Sequence, residues 1–179
     1  MSGGVDSSVA AMLLREQGYE VMGVTLKLFS DEDIVQAQKE GKTCCALSDV
    51  EDARSVAYRL GFEHLVFNFK DCFREHVMQQ FANSYLCGRT PNPCIECNRC
   101  VKFDKMLRRA LELGYDYIAT GHYAVREYDE SCGRYLLKRP KDRSKDQTYV
   151  LYSLTQEQLA HTLFPLGELE KSQVRALAE

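Results

Sequence analysis

Apolar residues recur along the chain with two alternating periods, one typical of helices and the other typical of strands. Val5, Val9 and Leu13 repeat every four residues, which predicts a helix that ends near Gly18. Short runs of apolar and β-branched residues predict strands instead. The predicted strands lie at 19–29, 64–69 and 117–120. The other long predicted helices lie at 48–60, 71–86 and 98–113.

This alternation of strands and helices predicts an α/β fold. Successive units of this kind form an open, mostly parallel sheet with helices on both faces. A hairpin is predicted at 124–137, and a basic loop followed by a small helical portion is predicted from residue 138 onward.

Composition narrows the class of protein. The chain has 179 residues, of which 45% are hydrophobic, and this suffices for a domain with a buried core. A net charge of −3 argues against a nucleic-acid binder that is basic over its whole surface. No apolar run is long enough to cross a membrane and no signal peptide is recognised, which predicts a cytoplasmic protein without a membrane partner. In such a protein the eight cysteines are expected to be reduced, catalytic or metal-binding thiols.

A glycine loop opens the chain at residues 2–8, with the sequence Ser-Gly-Gly-Val-Asp-Ser-Ser, and the first predicted helix follows at once. Glycines let backbone N–H groups close around an anion, and a helix N-terminus adds partial positive charge. The loop lacks the Lys-Ser/Thr pair of a Walker loop. We interpret it as a phosphate site in which Asp6 holds Mg²⁺ or orients a nucleotide; the alternative is a plain turn before a capped helix.

A segment with three cysteines, Cys94, Cys97 and Cys100, is the second candidate site. It follows a predicted loop at 88–94 that contains two prolines, and it lies where the predicted helix begins. A thiol at a helix N-terminus, near the cations at 99 and 102, is expected to have a lowered pKa. Such a thiolate attacks sulfur or carries it.

The same cysteines leave other interpretations open. Three closely spaced thiols need a fourth ligand to hold zinc, and Cys44 or Cys45 supplies one only if the fold brings it close. An iron–sulfur cluster and buried structural thiols are the further alternatives. The sequence alone therefore does not identify which residues would bind a metal ion.

These two segments carry a resemblance to a known family. The glycine loop resembles that of the ATP pyrophosphatase (PP-loop) superfamily. The segment at 92–98, Asn-Pro-Cys-Ile-Glu-Cys-Asn, resembles the signature of the tRNA-specific 2-thiouridylases. Further strings that agree in order are 88–93 (Gly-Arg-Thr-Pro-Asn-Pro), 117–123 (Tyr-Ile-Ala-Thr-Gly-His-Tyr), 145–147 (Lys-Asp-Gln) and 163–169 (Leu-Phe-Pro-Leu-Gly-Glu-Leu).

The resemblance implies a role for each matching residue. Cys97 matches the catalytic cysteine of the family, whereas Cys100 lies outside the signature. The positions that match ATP-binding residues are Met1, Ser2, Gly3, Gly4, Val5, Asp6, Ser7, Leu26 and Gly121. The positions that match contacts to the target base and to tRNA are Asn92, Pro93, Cys94, Lys145, Asp146 and Gln147.

The resemblance also implies a fold and a reaction. The fold is adenine nucleotide alpha-hydrolase-like, with residues 1–137 as the nucleotide-binding domain and 138–179 as the basic loop and the start of a helical, tRNA-contacting region. The reaction is 2-thiolation of the wobble uridine of tRNA with ATP and Mg²⁺. The sulfur comes from a cysteine desulfurase or a sulfur-relay protein, and an iron–sulfur cluster is left open as a cofactor.

The family also differs from this chain at both ends. It has a strand before the glycine loop, and a second reactive cysteine and two domains after the region matched here. We therefore expect the chain alone to be incomplete and inactive as a thiolase.

Two other functions remain open from the sequence. Another PP-loop ATP pyrophosphatase, of the amidotransferase or synthetase type, would need neither the cysteines nor RNA. A non-catalytic zinc or iron–sulfur module would hold metal and release no pyrophosphate.

Two clusters of basic residues favour contacts with RNA phosphates, although a solvated helix face has the same composition. We call them the basic helix cluster and the basic loop. The basic helix cluster consists of Arg99, Lys102, Lys105, Arg108 and Arg109. The basic loop carries Lys138, Arg139, Lys141, Arg143 and Lys145.

Overall fold

A computed structural model of the protein describes residues 1–30 and 47–179. The helices of this part are α1 (Val5–Glu16), α2 (Leu47–Leu60), α3 (Lys70–Phe73, Arg74–Met78 and Gln79–Leu86 in succession), α4 (Pro93–Glu96, Cys97–Met106 and Leu107–Glu112 in succession), α5 (Gln156–Ala160) and α6 (Lys171–Ala176). The strands are β1 (Gly23–Lys27), β2 (His64–Asn68), β3 (Ile118–Ala119), β4 (Val125–Asp129), β5 (Arg134–Lys138) and β6 (Thr162–Leu163).

Strand pairing confirms the α/β class and refines its geometry. β1 pairs in parallel with β2, and β3 pairs in parallel with β6, while β4 and β5 form the predicted antiparallel hairpin. Within the described residues these are three separate two-stranded ladders and not one continuous sheet. Residues of β1 and β3 line the same cavity.

The hydrophobic core connects the beginning of the described chain with its end. Val9 and Ala10 of α1 pack with Val174 of α6, and Tyr123 and Leu166 complete this buried cluster. Burying one valine or leucine side chain of this kind stabilises the folded protein by roughly 1.5–3 kcal/mol relative to leaving it exposed. The packing therefore holds α6 against the helix that follows the glycine loop.

The start of α4 differs from the prediction. A loop was expected at 88–94 and a helix from 98, but α4 already begins at Pro93. The Asn92 side chain accepts a hydrogen bond from the Cys94 N–H at 3.0 Å, which caps the helix. Proline fits the first helical position because that position needs no N–H donor. Cys94 and Cys97 thus lie inside the first two turns of α4.

The middle segments of α3 and α4 have wider, π-type hydrogen bonding, over Arg74–Met78 and Cys97–Met106. Such segments are rare and often lie at functional sites.

Among the described residues, no helix combines the length and the apolar character that a membrane span requires.

Candidate active site

The glycine loop packs tightly against α2. Gly3 has a φ of 69°, in the left-handed region that favours glycine. A Cβ at this position would lie 2.8 Å from the Asp49 carbonyl oxygen and 2.9 Å from the Asp52 Cβ. Glycine is therefore required by both the backbone conformation and the close approach of α2.

Serine side chains organise the inside of the glycine loop. The Ser7 hydroxyl accepts a hydrogen bond from the Ser2 N–H at 3.2 Å and donates to the Gly4 carbonyl at 3.1 Å. The Ser8 hydroxyl donates to the same Gly4 carbonyl at 3.0 Å. These bonds close the loop at the N-terminus of α1, where the helix dipole favours an anion.

The carboxylate of the glycine loop has two partners far away in the sequence. Asp6 Oδ1 lies 2.5 Å from Lys171 Nζ, and it accepts a hydrogen bond from the Tyr123 hydroxyl at 3.0 Å. Burial raises the pKa of Tyr123 well above its usual range, and the hydrogen bond to Asp6 adds to the shift. Sequence reasoning identified Asp6 but neither of these partners.

Gly121 brings the end of β3 against the glycine loop. A Cβ at Gly121 would lie 2.9 Å from the Asp6 carbonyl carbon and 3.0 Å from the Ser7 nitrogen. Only a residue without a side chain fits this contact without displacing the loop. The close packing of two backbones therefore requires glycine at 121, and its role in ATP binding stays a prediction.

His122 follows Gly121 and lies in the wall of the cavity. Its Nδ1 is 2.9 Å from the Thr120 hydroxyl oxygen, and its ring packs 6.0 Å from the Phe103 ring. Burial lowers the pKa of His122 to about 3, and the charge of Lys102 contributes in the same direction. The imidazole is therefore neutral at physiological pH.

A cavity of about 930 Å³ brings most of the predicted site residues together. Of the predicted ATP-binding positions, those that line it are Met1, Ser2, Asp6, Ser7, Leu26 and Gly121. From the cysteine segment and the basic loop region, those that line it are Pro93, Cys94, Cys97 and Gln147. The predicted residues outside its lining are Gly3, Gly4, Val5, Asn92, Lys145 and Asp146.

The three cysteines of α4 differ in their surroundings. Cys94 is exposed, whereas Cys97 is half-buried and packs against a cluster that contains Leu28, Val77 and Val101. Cys100 lies outside the cavity lining, and its Sγ donates a weak hydrogen bond to Glu96 at 3.8 Å.

Burial raises the pKa of Cys100, so the prediction of a lowered thiol pKa is wrong for this residue. The nearby carboxylate of Glu96 raises it further, against the opposing effect of the Arg99 charge. Arg99 pairs with Glu96 at 2.5 Å, so its charge is shared with a carboxylate on the same helix.

The described residues offer few ligands for a metal ion near α4. Within 1–30 and 47–179, no three His, Cys, Asp or Glu side chains converge in a way that could hold a metal ion. Cys44 and Cys45, the expected source of a fourth ligand, lie outside the described residues. The described residues therefore do not fit a zinc ion or an iron–sulfur cluster at α4. Cys94 and Cys100 of α4 are free thiols.

The two basic clusters are paired with carboxylates to different extents. In the basic helix cluster, Arg108 pairs with Asp104 at 2.7 Å and Arg109 pairs with Glu112 at 3.0 Å. Lys102 of that cluster lines the cavity. In the basic loop, the cations that are exposed and form no ion pair with a described residue are Lys141, Arg143 and Lys145.

The segment at 145–147 is held by its own hydrogen bonds. Gln147 Oε1 accepts from the Tyr123 N–H at 2.9 Å, and the Gln147 N–H donates to the Tyr123 carbonyl at 3.2 Å. Asp146 accepts from the Thr148 hydroxyl at 2.6 Å, and this bond is the largest cause that lowers the pKa of Asp146. This segment therefore anchors the basic loop beside the cavity.

The parallel strand pairs and their helices define an α/β protein with a nucleotide-hydrolase-like fold, and structural comparison agrees with this class. A solved structure from Methanocaldococcus jannaschii, described as a predicted subunit of tRNA methyltransferase, matches with a TM-score of 0.54 and 18% identity. The match covers 99% of this chain and 72% of that chain. At this identity the likeness supports the fold alone.

Residues 1–179 match the family described as tRNA methyl transferase HUP domain, and the chain belongs to that family. Its curated relatives include a tRNA-specific 2-thiouridylase MnmA 2 of Caldanaerobacter subterraneus subsp. tengcongensis, 59% identical over all 179 residues. The tRNA-specific 2-thiouridylases MnmA of Clostridioides difficile and Acetivibrio thermocellus are each 58% identical over the same length. The chain spans about half the length of these relatives, 49% of the first and 50% of the last.

Proposed function

We propose that this chain forms the ATP-binding half of a tRNA 2-thiouridylase, in which the base to be modified enters beside Cys97. The observation that carries the proposal is one cavity lined by both the glycine loop and the cysteine helix α4. A reaction that joins nucleotide chemistry to sulfur chemistry needs these two groups in one space.

The glycine loop supports the nucleotide half of the proposal. Ser2 and Ser7 reach the cavity at the N-terminus of a twelve-residue helix, and Asp6 lines the same wall. Hydroxyl groups, helix N–H groups and a carboxylate suit a nucleotide polyphosphate with Mg²⁺. The volume of about 930 Å³ is within the usual range for a site that binds a molecule of this size.

The proposed reaction has two stages. The C2 oxygen of a flipped-out uridine attacks the α-phosphorus of ATP, the bond to the bridging oxygen breaks, and pyrophosphate leaves. The terminal sulfur of a donor persulfide then attacks C2, and the C2–oxygen bond breaks with departure of AMP. The Cys97 thiolate attacks the sulfur of the donor cysteine, and the bond between that sulfur and the transferred sulfur breaks. A disulfide joins Cys97 to the donor cysteine, the transferred sulfur stays on C2 as the thiocarbonyl, and a thiol reductant restores both cysteines.

The cysteines favour thiolation over methylation, the reaction in the family's description, because methyl transfer to tRNA needs no thiol pair at the nucleotide site. Cys94 and Cys97 both line the cavity, and Cys97 is the more buried of the two. Contact with tRNA phosphates is assigned to the basic loop, where three exposed cations remain unpaired with described residues.

The first test is an equilibrium titration of the 179-residue chain with ATP in the presence of Mg²⁺. In Mg²⁺, Asp6→Ala should weaken binding at least about tenfold, because it removes the carboxylate that is proposed to hold the metal ion at the loop. Glu16→Ala removes an exposed carboxylate from the other end of α1, and it should leave binding unchanged. Equal affinities for the wild type and Asp6→Ala would count against the ATP assignment.

The second test concerns the base. The chain is fused to the remaining half of the Clostridioides difficile relative and supplied with ATP, Mg²⁺, tRNA and a persulfide source. Pyrophosphate release that depends on tRNA, together with 2-thiouridine in mass spectrometry, is the expected result. Release without tRNA would indicate another PP-loop pyrophosphatase, and tightly bound metal without release would indicate a metal-binding module.

A further inference from the structure

The side chain of Lys171 reaches the glycine loop from the far end of the chain. Its Nζ lies 2.5 Å from Asp6 Oδ1 and 5.7 Å from the centre of the Tyr123 ring. The Lys171 side chain is 22% exposed and the Asp6 side chain 37%, so water screens the pair only in part. An ammonium group is thus placed beside the carboxylate of the proposed phosphate site.

Packing and hydrogen bonds fix Lys171 in this position. Its backbone N–H donates to Asp142 Oδ2 at 3.1 Å at the start of α6. Val174, one turn further along, is fully buried and packs in the cluster of α1 that contains Val9. The ammonium group is therefore held at the loop by the core and differs from a solvated cation that meets a carboxylate at the surface.

A carboxylate in a phosphate-binding loop repels a polyphosphate unless a positive charge offsets it. Mg²⁺ supplies such a charge when it is present. The ammonium group of Lys171 provides a second positive charge, from within the protein, because its Nζ binds Asp6 Oδ1. The Tyr123 hydroxyl donates to the same oxygen and fixes its position.

We propose that Lys171 is a positioning residue of the nucleotide site, which neutralises and orients Asp6 so that the glycine loop accepts a polyphosphate before a metal ion arrives. This inference rests on the proposed function, since it assumes that ATP binds at the glycine loop. Mg²⁺ and Lys171 act as alternative counter-charges for the same carboxylate.

The test is a set of ATP titrations of the 179-residue chain, each performed once in EDTA and once in Mg²⁺. Lys171→Met keeps the aliphatic stem and removes the charge; it should weaken binding at least about tenfold in EDTA and less than about threefold in Mg²⁺. Lys171→Arg should restore most of the affinity. Arg15→Met removes an equal charge from the exposed far end of α1 and serves as the matched control.

A double variant separates neutralisation from direct phosphate contact. If Lys171 acts through Asp6, then Asp6→Asn combined with Lys171→Met should bind ATP in EDTA more tightly than Lys171→Met alone, since no uncompensated carboxylate remains. Equal or weaker binding by the double variant would overturn the inference, as would a Lys171→Met chain with wild-type affinity in EDTA. A wild-type chain that binds no ATP in either buffer would instead overturn the proposed function, and this inference with it.

Discussion

Gly121→Ala is expected to disturb the nucleotide site through sterics alone. The new Cβ would lie 2.9 Å from the Asp6 carbonyl carbon and 3.0 Å from the Ser7 nitrogen. Ordinary contacts between such atoms are roughly 3.5–4.0 Å, so the loop has to move by about 0.5–1 Å. Two of the atoms involved belong to the backbone, and a side-chain rotation cannot relieve the overlap.

The magnitude follows from comparable overpacking of well-packed interiors. An extra methyl group in such a place lowers the free energy of unfolding by about 1–3 kcal/mol. A loop displaced by half an ångström no longer holds its donors in place, so ATP affinity should fall at least about tenfold.

Urea unfolding and an ATP titration measure the two effects separately. Gly4→Ala is the control for stability, because among the described residues its Cβ would meet only the Ser2 hydroxyl oxygen, at 3.5 Å, and its φ of −79° suits alanine. The reasoning fails if Gly121→Ala unfolds at the same urea concentration as the wild type and binds ATP equally well.

Three further predictions concern the cysteines, the basic loop and pH. In the fused protein, Cys97→Ser should abolish 2-thiouridine formation and spare ATP binding, whereas Cys100→Ser should retain thiolation. The reverse pattern would assign the chemistry to Cys100 and contradict the assignment to Cys97. Lys141→Glu with Lys145→Glu should weaken tRNA binding and flatten its salt dependence, and an unchanged salt slope would remove the basic loop from the interface. Because the folded-state pKa of His122 is about 3 and its ordinary value is 6.5, the unfolded chain binds the proton first as pH falls, and stability declines below about pH 6.5. By pH 5 the free energy of unfolding of the wild type should have fallen by about 2 kcal/mol. Urea unfolding of His122→Gln should therefore show a smaller loss between pH 7 and pH 5 than the wild type, and equal losses in the two proteins would contradict this.

Local signals accounted for much of the fold. The repeat of α1 and the glycine at 18 predicted a helix over the observed Val5–Glu16. The glycine at 133 marked a turn and predicted the hairpin of β4 and β5. In the structure Gly133 has a φ of 64°, which suits glycine. These elements are determined by residues within a few positions of one another, so the local sequence is enough to predict them.

Other features depended on contacts that no local pattern reports. The prolines at 91 and 93 predicted a loop, but the Asn92 side chain caps the backbone and starts α4 five residues earlier. The partners of Asp6 lie 117 and 165 residues away, so only the folded chain reveals them.

The separation of β1–β2 from β3–β6 has a consequence for how the protein opens. Within the described residues no backbone ladder joins the two pairs, and the glycine loop contacts both α2 and Gly121, the second residue after β3. Amide protons in the two-residue ladder of β3 and β6 are expected to exchange with solvent at a lower opening free energy than those of β1. A nucleotide that touches Ser7 on one side and Gly121 on the other would connect the two pairs through its own atoms. The substrate would then slow exchange across both ladders and serve, while bound, as one of the elements that hold the domain together.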